Sequence, residues 1–151
     1  MKEPAINGIG YEYEIVIGAA PAEVWRGLVD GDITRQYVYG TRFEGDLRPG
    51  AAYAYVGDGG FRVVDGAIVD VQDEKRLVMT WSAHWDGSVE HDRPSRVTFE
   101  LAAAGPSTKL RLVHDDFDAE TATFLGSADA WPLMLSSLKT VLETGRPLVI
   151  A

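Results

Sequence analysis

The segment from Trp131 to Gly145 constrains the fold more than any other part of the chain. It reads Trp-Pro-Leu-Met-Leu-Ser-Ser-Leu-Lys-Thr-Val-Leu-Glu-Thr-Gly. At about 100° per residue, Trp131, Met134, Leu135, Leu138, Val141 and Leu142 fall on one face. Ser136, Lys139, Thr140, Glu143 and Thr144 fall on the other. Gly145 tolerates the left-handed conformation that ends such a helix. Most of the chain between Phe43 and His114 reads instead as strand. One long amphipathic helix and one extended sheet bury their apolar faces against each other, which makes a two-layer α+β unit. A single helix covers a curved sheet incompletely, so a cavity between the layers is expected.

The rest of the chain supplies the sheet. Tyr11, Tyr13, Ile15 and Ile17 alternate along a half-buried first strand. Pro21 suits the first turn of a helix running to Val29, with Val24, Trp25, Leu28 and Val29 as its buried stripe. A second short helix is expected over Asp32 to Gln36. Strands follow at Thr41 to Glu44, Ala51 to Val56, Phe61 to Val71, Arg76 to His84, Ser95 to Leu101 and Thr108 to His114. Gly57-Asp58-Gly59-Gly60 reads as a hairpin turn, and Gly66 as the site of a bulge. Trp85 to Pro94 is a long loop. Asp118 to Ala130 reads either as a connection or as the start of the terminal helix. In the second case Asp118 is the N-cap, with a kink near Gly126 and Pro132.

Composition narrows the class. A chain of 151 residues, 46% hydrophobic and 25% charged, is expected to form one domain over residues 1–151 with a full core. There is no cysteine, so disulfides and thiol chemistry are excluded. The net charge of -9 repels a phosphate backbone, which argues against nucleic acid. No apolar run approaches a membrane span, and the first residues carry no apolar signal region, so a cytoplasmic location is expected. Glycine-rich phosphate loops, nucleophile elbows and Ser-His-Asp sets of recognisable spacing are missing. Glu90-His91-Asp92 places three potential ligands in sequence, a spacing that cannot easily converge on one ion. Neither metal nor cofactor is expected.

The order strand, two short helices, six-strand meander and long helix is that of the helix-grip fold. It is a curved antiparallel sheet of six to seven strands wrapped on a C-terminal helix. Pro21-Ala22-Glu23-Val24-Trp25-Arg26-Gly27-Leu28-Val29-Asp30 resembles the entry motif of the START-like (Bet v-like) superfamily. Arg76-Leu77-Val78-Met79-Thr80-Trp81 is similar to a strand of its activator-of-heat-shock-ATPase branch. So are Thr108 to His114 and the segment Trp131 to Lys139 to that branch's last strand and final helix. The resemblance covers about residues 10–145. It implies a fold and a cavity and brings no catalytic residue. The proteins for which the branch is named carry a separate N-terminal domain that helps engage the chaperone, and no such domain is expected in these 151 residues.

Strand phase then assigns the cavity lining. The expected ligand contacts are Tyr37, Tyr39, Phe43, Tyr53, Tyr55, Met79, Trp81, Phe99, Leu112, His114, Trp131, Met134, Leu135 and Leu138. The alternative is that these side chains fill the core. His114 closes an inward face and precedes Asp115-Asp116, so it is expected at the cavity mouth with its pKa raised by a carboxylate. It would serve a ligand hydrogen bond or a proton transfer there, or else be bonded to a neighbouring loop. Asp58, Asp86, Asp115 and Asp116 read as solvated turn residues, and His84 as exposed. Three functions remain open: binding of an apolar or aromatic small molecule, cyclase/aromatase-like catalysis in the same cavity, and contact with a chaperone or other protein. A homodimer through exposed strand edges fits any of them.

Overall fold

The computed structural model describes residues 8–148. Strand β1 (Ile9–Ile17) leads into helices α1 (Pro21–Val29) and α2 (Gly31–Thr34). Strands β2 (Arg42–Gly45), β3 (Ala52–Val56), β4 (Arg62–Gln72), β5 (Arg76–Ala83), β6 (Ser95–Ala104) and β7 (Ser107–Phe117) follow, and helix α3 (Ala122–Thr144) ends the fold. All pairings are antiparallel, in the order β1-β7-β6-β5-β4-β3-β2. The first strand closes the sheet beside the last, and the curved sheet grips α3, as expected of the helix-grip fold. Met79, Val97, Leu110, Leu112 and Leu138 are fully buried between the layers.

The terminal helix is longer than its apolar stripe announces. It runs unbroken through Asp118-to-Ala130 territory from Ala122, and Thr121 rather than Asp118 is its N-cap. The Thr121 hydroxyl oxygen accepts from the Phe124 N–H at 3.2 Å. Asp92, reaching from the β5–β6 loop, accepts from the Thr123 N–H at 3.0 Å and from its hydroxyl at 2.6 Å. Pro132 lies inside the helix. Its missing N–H would orphan the carbonyl of Ala128 one turn back. The Tyr13 hydroxyl donates to that carbonyl at 3.0 Å, so the proline's gap becomes an attachment of the helix to β1.

Besides a register shift between Tyr55 and Val56, two bulges escape the sequence pattern. Gly66 stays in register opposite Tyr53, and the irregularity falls instead between Ile68 and Asp70. Gly66 is there for space, since a Cβ would collide with the backbone carbonyl of Thr80. The second bulge separates the Tyr11–His114 and Ile9–Phe117 pairs. Asp116 takes a φ of 64° within it. The strand therefore continues past His114, and the phase flips so that Phe117 also turns inward.

Candidate functional site

A cavity of about 330 Å³ opens between β3, β4 and β5 on one side and the first half of α3 on the other. The sheet contributes Tyr55, Val63, Val64 and Trp81. The segment after α2 contributes Val38, Tyr39 and Thr41, and α3 contributes Gly126, Ser127, Ala130, Trp131 and Met134. Trp85, from the loop after β5, completes the wall. That indole lies against the helix because position 126 has no side chain, and a Cβ there would come within 3.0 Å of its Cζ2. Tyr39, 67% exposed and with a left-handed φ of 48°, stands at the rim.

A second void of about 10 Å³ continues the cavity inward among Leu28, Tyr37, Val38, Tyr55, Trp81, Phe99, Trp131 and Leu135. It has room for roughly one water. No charged side chain lines either space. The polar groups on the wall are few. Burial pushes the Tyr55 hydroxyl pKa up, so it stays protonated. The Trp81 indole N–H and the Ser127 hydroxyl, on residues only 3% and 2% exposed, have no hydrogen-bond partner among the described residues. The Tyr11 hydroxyl is near enough to Ser127 to feel it, yet outside hydrogen-bonding geometry with it.

The expected contacts divide into three groups. Tyr39, Tyr55, Trp81, Trp131 and Met134 line the main cavity. Tyr37, Phe99 and Leu135 line the inner void, with the Tyr37 hydroxyl donating to the Gly27 carbonyl at 2.7 Å. Phe43, Tyr53, Met79, Leu112, His114 and Leu138 line neither, and are packed as core. Tyr53 turns its hydroxyl away, to the carbonyl of Thr80. Val38, Thr41, Val63, Val64, Trp85, Gly126, Ser127 and Ala130 were not anticipated. For Ser127 and Ala130 a signal existed: each lies one turn before an inward residue, Trp131 and Met134.

His114 corrects the expectation most sharply. It is not at a mouth but wholly buried, because β7 runs on to Phe117 and that ring packs over the imidazole at 4.6 Å. Its pKa is lowered to about 3 by desolvation, not raised by a carboxylate. The Trp131 indole N–H donates to Nδ1 at 3.0 Å, and Ser95 Oγ is 2.8 Å from Nε2. An indole can only donate, so Nδ1 is the bare nitrogen and Nε2 carries the proton toward Ser95. That tautomer cannot take a proton from the serine. Asp115 is also buried, at 2% exposure, and paired with Arg96 at 3.3 Å. His84 is half-buried and bonded through Nε2 to Asp65 at 2.9 Å. Among the described residues no group of three or more His, Asp or Glu is placed to hold a metal ion. No helix among them is long and apolar enough to cross a membrane.

Among curated proteins none matches the sequence significantly. Solved structures match the fold. The protein MLL2253 from Mesorhizobium loti superposes with a TM-score of 0.75 at 24% identity, covering 89% of this chain and 97% of that one. PFC0360w, an HSP90 activator from Plasmodium falciparum, gives 0.74 at 19% identity, covering 90% and 97%. DynU16, a protein of the dynemicin biosynthetic locus, gives 0.73 at 21% identity, covering 91% of this chain and 48% of that one. At such identities the likeness is one of fold. The model for the Activator of Hsp90 ATPase homolog 1-like family matches residues 18–143, a span that begins where β1 ends, holds every cavity-lining residue and stops within the last turn of α3. The chain belongs to that family.

Proposed function

We propose that this protein binds an apolar or aromatic small molecule in the cavity between the sheet and α3. The observation that carries the reading is the space itself: about 330 Å³, aromatic on several sides, beside a core of buried apolar side chains. Pockets for small ligands are of this size and character, with a few polar groups on apolar walls. Cores avoid voids of that volume, because unfilled space forfeits packing energy. The wall lacks any carboxylate, imidazole or amine, which favours binding over acid–base turnover. Membership of the dynemicin locus by one structural neighbour is in keeping with a small-molecule role. The HSP90 activator among the neighbours supports chaperone contact as a second reading.

The test is titration with a neutral apolar dye, phenylnaphthylamine. Saturable binding to the native protein is expected, with a rise in Tm. At a hundredfold excess over Kd the stabilisation is about 2.7 kcal/mol. Linear, non-saturating fluorescence and an unmoved Tm would sink the reading.

A further inference from the structure

Resting on that reading, we infer that the cavity selects neutral ligands carrying a carbonyl-type acceptor oxygen, which the Trp81 N–H and the Ser127 hydroxyl hold. They are the two fully buried side-chain polar atoms without a partner among the described residues, and the residues that carry them line the same cavity. Ser127 lies one turn before Trp131 on α3, and the Trp131 ring is 5.3 Å from that of Trp81. Trp131 itself has spent its N–H on His114, so its ring offers only a face. Trp81 therefore presents an indole donor with nothing to receive it, and a buried donor left so is costly. An indole N–H cannot accept, so what it meets must be an acceptor. Ser127 can donate beside it, and the protonated Tyr55 hydroxyl adds a third donor on the same wall.

The charge of the ligand follows from what is missing. An anion would satisfy the donors but would enter a space without a single cationic side chain, in a protein of net charge -9. Neutral donors alone do not offset the desolvation of a carboxylate there. A hydrocarbon would fill the space and leave the donors orphaned. A ketone, lactone, quinone or amide on an aromatic or apolar frame meets both conditions.

Three probes of one shape separate the possibilities: acetylnaphthalene, ethylnaphthalene and naphthoate, each displacing phenylnaphthylamine. The ketone is expected to bind about tenfold tighter than the hydrocarbon, the worth of one buried hydrogen bond. The carboxylate is expected to bind weakest. Trp81→Phe should bring the ketone down to the hydrocarbon's affinity while leaving the hydrocarbon's nearly unchanged. Ser127→Ala, a smaller change, should narrow the gap in the same direction, and it keeps the test alive if the indole is needed for folding. Should ketone and hydrocarbon bind equally, the donors are met by a resident water and the inference falls while the cavity reading stands. A ketone preference that survives both substitutions overturns it equally. If none of the three binds, both fall together.

Discussion

An imidazole with both nitrogens engaged and aromatic rings around it takes up no second proton in the folded state until the solution is strongly acidic. For His114 the folded pKa is about 3, against an ordinary value of 6.5. Between those values the unfolded chain binds a proton that the native one refuses. Stability is therefore level above about pH 6.5 and falls by about 1.4 kcal/mol per pH unit as the solution is acidified toward the folded pKa. This residue thus makes the fold acid-sensitive in a range where carboxylates alone contribute little. His114→Gln keeps an acceptor and a donor for Trp131 and Ser95 but removes the titration. Urea unfolding followed from neutral pH to about pH 4 should lose most of that slope, with lower stability at neutral pH from imperfect bonding. A slope identical to wild type would assign the acid sensitivity to other groups. His114, expected as a ligand contact, is buried and lines neither cavity space.

At the scale of elements, α3 does two jobs along one length. Its second half is core: Leu138 is fully buried, and α1 packs so closely over it that a Cβ at Gly27 would come within 2.8 Å of Leu138 Cδ1. Truncating Leu138 to Ala should cost about 2–5 kcal/mol, read as a lowered midpoint in denaturant with an unchanged slope. Near-wild-type stability would mean that the two helices close over the gap. The first half of α3 is the cavity wall, and its helical face is weakly written. Gly126, Ser127 and Ala130 carry no hydrophobic signal, so periodicity announced a helix only from Trp131. Tyr55, Trp81, Trp131 and Met134 were legible because strand phase and helical phase aim them at one space. Val38 and Trp85 were not, since both come from irregular segments that no period governs. His114 was placed in the right direction but at the wrong depth. A one-residue bulge at Asp115-Asp116 leaves no mark in the residue pattern, yet it carries β7 onward and seals the imidazole under Phe117.

Across the whole molecule, charge and space are kept apart. The outer face of the sheet carries linked ion pairs, Glu12 to Arg111, Arg111 to Glu100, and Arg76 to Asp70, while the cavity wall is uncharged. If the cavity is a binding site, filling it should raise stability and weaken binding together. Ala130→Leu puts that idea to the test. Leucine matches alanine closely in helix propensity, so the backbone is little affected. Its added carbons would enter the void beside Trp131 and Met134 and gain about 1–2 kcal/mol if they are accommodated without strain. Two changes should therefore appear together: a Tm higher by a few degrees, and an affinity for phenylnaphthylamine lower by about tenfold. Opposite movements of stability and binding are the signature of a space held open for a ligand. A variant that is less stable and binds the dye as well as wild type does would mean that the wall at Ala130 has no room to spare and that the dye lies elsewhere.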